Sequence, residues 1–132
     1  MARLEIAPRT MNTVLVTIPC EAGELSGVRR WLRAWLDESG VDSTLREDVV
    51  LGVHEAAANA IEHAGPAENV QIAASIDDRT LTIDVIDTGN WLEGTRDDDE
   101  RGRGLLIIEK VAEHVDIRRH SAGTTVRLTF RV

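Results

Sequence analysis

Two hydrophobic rhythms alternate along the chain. Residues 12–18, NTVLVTI, are apolar and β-branched and read as a strand. After the turn-forming PCEAGE, the residues Leu25, Val28, Leu32, Trp35 and Leu36 recur at helical spacing, and Gly40 stops that helix. Thr44 and Glu47 make a T-x-x-E capping box at the head of a second helix. Its apolar face is Val49, Val50, Val53, Ala56, Ala57, Ala60 and Ile61, and Gly65 with Pro66 ends it.

The second half returns to the two-residue period. In residues 69–76 the apolar positions are Val70, Ile72, Ala74 and Ile76; in 81–87 they are Leu81, Ile83 and Val85, with DDRT as the turn between. Residues 88–104 read as a loop rich in acid and glycine, and 105–115 as a third helix. Residues 115–119 and 124–132 give a last hairpin, with Val126, Leu128, Phe130 and Val132 on one face. The order β-α-α-β-β-α-β-β predicts one sheet with the helices on one face, an α+β two-layer sandwich. A length of 132 residues suits one domain over 1–132.

Charge narrows the function. The net charge of −8 argues against nucleic acid, whose phosphates require basic patches. It leaves room for a nucleotide, which needs only local positive potential. Lys110 is the only lysine, and no GxxxxGK[ST] loop surrounds it. Cys20 is the only cysteine, so no internal disulfide forms, which fits a reducing compartment. No apolar run approaches the roughly 20 residues that span a bilayer, and no signal peptide is visible. The expectation is a cytoplasmic protein with no membrane contact.

Three features break the apolar pattern. Glu55, Asn59 and His63 recur every fourth residue on the second helix. Four residues turn about 400° and rise about 6 Å, so the three line one stripe. Valines and alanines already occupy the sheet-facing direction, so the stripe lies elsewhere: along a cleft, where a carboxylate can take a proton and a carboxamide oxygen can hold Mg²⁺, or simply in solvent. A zinc site would need H-E-x-x-H, and Ala58 occupies the second ligand position. Asp87 continues the apolar parity of Leu81, Ile83 and Val85. A carboxylate leaving a strand on the core side needs a partner, and Gly89 two residues later permits close approach of a flat ligand or a turn. Finally, Gly102 and Gly104 stand between Arg101 and Leu105 before the third helix, where bare backbone N–H groups attract anions. The run DDDE, residues 97–100, reads as a solvated loop or one that closes on Mg²⁺ and phosphates.

Taken in order, E-x-x-x-N-x-x-x-H on a helix, D-x-G after a strand, G-x-G-L into a helix and GTTVRL (123–128) resemble the Bergerat-fold ATPase superfamily. Gyrase, a heat-shock chaperone family, histidine kinases and mismatch-repair ATPases share it. The phrase EAAANAIEHA and a short lid over 90–101 are most similar to the bacterial anti-sigma-factor serine/threonine kinases. The resemblance implies a Bergerat-type sandwich with a mixed, mostly antiparallel sheet, and ATP with Mg²⁺ between the second and third helices. It implies Glu55 as general base, Asn59 as Mg²⁺ ligand, Asp87 on the adenine amino group and Gly89 near the ring. Arg101, Gly102, Arg103, Gly104 and Leu105 would hold phosphates, Thr124 would support the adenine site, and His63 ends the helix motif. Trp91 stands where the family often has a second glycine. The implied partners are a sigma factor, an anti-sigma-factor antagonist and a second copy in a homodimer. The alternatives are a nucleotide-gated binding module without transfer, the ATP-binding domain of a phosphatase-linked regulator, or a domain without nucleotide.

Overall fold

The computed structural model describes residues 5–6, 13–63, 69–88, 98–121 and 123–132. Ten elements follow among the described residues. They are β1 (Glu5–Ile6), β2 (Thr13–Pro19), a 3₁₀ turn (Ala22–Glu24), α1 (Leu25–Glu38), α2 (Ser43–His63), β3 (Asn69–Asp77), β4 (Thr80–Asp87), α3 (Asp98–Val111), β5 (His114–His120) and β6 (Gly123–Arg131). The strands form one six-stranded sheet in the order β1-β2-β3-β4-β6-β5. Among the described residues every pairing is antiparallel, in keeping with the expected two-layer α+β sandwich. β1 is an addition at the edge that the sequence pattern did not announce.

The two-residue period explains the layers. Val14, Val16 and Ile18, then Val70, Ile72 and Ala74, then Leu81, Ile83 and Val85, then Val126, Leu128 and Phe130 are buried on one face of the sheet. α2 lies against β3, β4 and β6 on that face, α1 packs on α2, and α3 packs on α2 and β5. Val49, Val50, Val53, Ala56, Ala57 and Ala60 are the buried side of α2, and Ile61 is half-buried. Trp35 is in the core; Trp31 is half-buried against it. β3 and β4 join through Asp78 and Arg79, both with positive φ (47° and 67°), a two-residue turn whose twist suits the hairpin.

Two helix starts differ from the sequence reading. The cap of α2 is Asp42, not the Thr44–Glu47 box. Its Oδ2 accepts from Leu45 N–H at 3.2 Å, and its carbonyl takes the first helical bond from Arg46 at 2.8 Å. Glu47 is drawn away by Arg33 on α1, which donates to both of its oxygens at about 3.0 Å. α3 begins at Asp98 and ends at Val111, seven residues earlier at its start than the apolar run suggested.

The path of the chain decides what shares an end of the sheet. β2 ends at Pro19, which pairs with Asn69 at the start of β3. α1 leaves from that end and α2 returns to it, reaching His63 only six residues before Asn69. Val70 pairs with Asp87, and Asp87 with Thr124. The C-terminal half of α2, the end of β4 and the start of β6 therefore meet at one end.

Candidate functional site

That shared end carries the polar residues that interrupt the apolar pattern. Glu55, Asn59 and His63 follow one another along α2 and are half-buried, away from the valine and alanine face. Asp87, the last residue of β4, keeps core parity and is only 2% exposed. Thr124, opposite it on β6, is also 2% exposed. They are the buried polar residues of a core that is otherwise aliphatic and aromatic. A buried carboxylate beside a buried hydroxyl costs several kcal/mol unless hydrogen bonds hold both, which is the economy of a recognition site more than of a core.

Gly123 makes this arrangement possible, and the sequence reading gave it no role. Its φ is +140°, a region that side chains avoid. A Cβ there would fall on the backbone carbonyl of Asp87, with the Cα of Thr88 2.8 Å away. The end of β4 thus lies directly on the start of β6, and only glycine permits it. The available signal was the phrase GTT itself, a glycine opening a strand just before the threonine.

The remaining predicted residues divide into two sets. Gly89 and the lid residues up to 97 lie outside the described residues, as does Trp91. Arg101, Gly102, Arg103 and Gly104 fall within the backbone of α3, not in a loop before it, so any phosphate they meet faces the first two turns of a helix. This corrects the expected loop-to-helix junction at Leu105. Leu105 itself is half-buried and packed against the core, so only its main chain can serve a phosphate. His54, next to Glu55 in the chain, points the other way, to α1: Arg29 Nη1 donates to its Nδ1 at 3.0 Å. Arginine cannot accept, so that ring nitrogen is bare.

The donor set gathered at this end has the chemistry that an adenine nucleotide would need. A carboxylate and a hydroxyl recessed at the strand ends can read an exocyclic amino group, and a glycine contact leaves the backbone flat beside them. One carboxamide on α2 suits Mg²⁺, which keeps most of its shell as water and phosphate oxygens.

Comparison with known proteins agrees. Residues 18–130 match the histidine kinase-like ATPase domain, and the chain belongs to that family. An anti-sigma F factor from Clostridium acetobutylicum is 36% identical over 102 residues, covering 66% of this chain and 71% of the relative. Among solved structures, the RsbU and RsbW domains of Rv1364c from Mycobacterium tuberculosis superpose with a TM-score of 0.75 at 29% identity, over 95% of this chain. The chain spans only 33% of that protein. The SiaB–SiaC complex from Pseudomonas aeruginosa matches with a TM-score of 0.66 over 88% of both chains; at 15% identity this speaks for the fold alone. Within its family the chain is thus of the anti-sigma-factor kinase-like kind, and an ATPase domain of this family implies ATP. No described helix is long and apolar enough to cross a membrane.

Proposed function

We propose that this protein binds ATP with Mg²⁺, sequesters a sigma factor and phosphorylates a serine or threonine of an anti-sigma-factor antagonist. The observation that carries the reading is the recessed Asp87–Thr124 pair, flush against Gly123, at the end of the sheet where α2 brings its polar stripe. When bound, ATP supplies the phosphoryl group and Mg²⁺ the neutralising charge. Asp87 accepts from the adenine amino group, with Thr124 beside it. Asn59 presents its carboxamide oxygen to the metal. Glu55, one turn earlier on the same stripe, would take the proton of the substrate hydroxyl as that oxygen bonds to the γ-phosphorus of ATP and the bond to the leaving ADP breaks. Arg101, Gly102, Arg103, Gly104 and Leu105 meet the phosphates along the start of α3. His63 closes the stripe, and Gly89, outside the described residues, would keep the role beside the ring that the family resemblance implies. A homodimer and a cytoplasmic setting belong to the same proposal, as does one domain over the whole chain.

Purified protein, labelled ATP and the antagonist test it directly. Glu55→Gln should slow transfer by about 10²–10⁴-fold while ADP affinity stays within about twofold of wild type. Asp87→Asn and Asn59→Ala should instead weaken nucleotide binding by about tenfold or more, read by calorimetry. Tight nucleotide binding with no transfer, and a Glu55→Gln protein indistinguishable from wild type, would favour the nucleotide-gated binding module in place of a kinase.

A further inference from the structure

The opposite flank of α2 holds a second concave surface with chemistry of its own. A groove of about 460 Å³ runs between α1 and α2, lined by Arg29 and Arg33 on one side and by Asp48, Val50, Leu51 and His54, with Glu47, on the other. It is separate from the polar stripe: His54 and Glu55 are neighbours in sequence and so about 100° apart around the helix axis. Arg33 and Glu47 neutralise each other across the seam. Arg29 and Asp48 do not. Among the described residues Arg29 donates only to His54 Nδ1, and Asp48 has no ion-pair partner. Between these two lies Leu51, 42% exposed, one of two large apolar side chains left open on the described surface. The groove therefore offers a spare cation, an apolar patch and a spare anion in a row.

We propose that this groove docks an amphipathic helical segment of a partner protein. The shape favours a helix, because positions 47 to 54 of α2 present about 10 Å of wall, two helical turns. The charges select its sequence. Asp48 and His54, which holds Arg29, are six residues apart, roughly 9 Å along α2. An occupant helix meets both with an acid and a base about two turns apart, and sets an apolar residue between them on Leu51. A uniformly acidic partner would leave Asp48 opposed, and a uniformly basic one would oppose Arg29. The inference does not depend on the kinase reading, since it uses neither the stripe nor the strand ends.

The test uses the full chain and a labelled synthetic helix of about 16 residues with Glu, Leu and Arg at i, i+3 and i+7. Fluorescence anisotropy should show it binding at least about tenfold tighter than a scrambled peptide of the same composition. Removing the Leu, or making both charges acidic, should lose that margin. On the protein, Arg29→Glu and Asp48→Arg should each weaken binding by about tenfold, and the double variant should recover most of it, because the helix can then lie in the reverse direction. Circular dichroism and ADP binding should stay as in wild type for all three. Equal binding of the scrambled or all-acidic peptide overturns the proposal, as does unchanged binding to Arg29→Glu, or a double variant no better than the singles.

Discussion

α2 is held on its two flanks by opposite means. Toward α1, outside the shared apolar core, the rim of the contact is tied by long charged side chains: Arg33 with Glu47, Arg46 with Asp37 at 2.8 Å, and Arg29 with His54. Toward α3 and β6 it is tied by the absence of a side chain. A Cβ on Gly52 would stand 3.0 Å from Leu128 Cδ2 and 3.1 Å from Val111 Cγ2. At the sheet end, Gly123 lets β6 lie on the main chain of Asp87. Exposed ion pairs are individually weak and re-form with other geometry. Close contacts through glycine leave far less room for a substitute, least of all where the neighbour is backbone. The flank that carries the proposed nucleotide site is therefore the unforgiving one, and the α1 flank is free to evolve as a surface.

The sharpest way to break this contrast is Gly123→Ala. Its φ of +140° strains any side chain, and the new methyl has a backbone atom, not a flexible tip, in its place. We expect a loss of about 4 kcal/mol or more in chemical denaturation, among the larger effects of single substitutions. Where folded protein remains, nucleotide affinity should fall with it, because the ends of β4 and β6 can no longer meet. A loss below about 1 kcal/mol would mean that the β4–β6 end yields easily, and the contrast would fail.

Gly52 gives the intermediate case. Two side-chain methyls, not backbone, face it, so Gly52→Ala trades a gain of about 1 kcal/mol in helix propensity against displacing them. The outcome should lie within about 1 kcal/mol of wild type, whereas Gly52→Leu should cost about 3 kcal/mol by wedging α2 from β6 and α3. Thermal melts of the pair separate tight packing from mere proximity. A neutral Gly52→Leu would show that this seam is loose.

The same contrast explains what was legible in the sequence. The sheet-facing residues were, because alternation is local: Val70, Ile72, Ala74, Leu81, Ile83 and Val85 all point to the core. Asp87 was legible for that reason too, since an acid on apolar parity is conspicuous before any fold is known. The stripe of Glu55, Asn59 and His63 could be assigned to the non-core side of α2 by subtraction. Gly123 was legible only as the opening of the GTT phrase, because what forbids a side chain there is the main chain of Asp87, 36 residues earlier and joined only by β-pairing. The cap of α2 failed similarly. Asp42 and Thr44 are equally plausible from local pattern, and the choice was made by Arg33, 14 residues before Glu47. The start of α3 was hidden because its acids and its glycines argue in opposite directions.

The smallest effect is expected on the α1 flank, where pH supplies the test. Arg33 holds the Glu47 carboxyl below the usual carboxylate range, chiefly through its hydrogen bonds. A lowered folded-state pKa means that the pair stabilises the protein above the ordinary glutamate pKa, near 4.3, and that this contribution is lost as pH falls through the lower folded value. Both side chains are about half exposed, so solvent screens the pair, and it is worth no more than a few tenths of a kcal/mol. Glu47→Gln should therefore lower stability by that amount at about pH 7. The gap to wild type should close toward about pH 3, and also in about 1 M salt at neutral pH, where screening does the work of the proton. Denaturant melts across both series measure it. A gap of 2 kcal/mol or more at neutral pH, or one that ignores salt, would make the α1 flank as rigidly specified as the glycine flank. The groove could not then be regarded as a surface free to accept a partner.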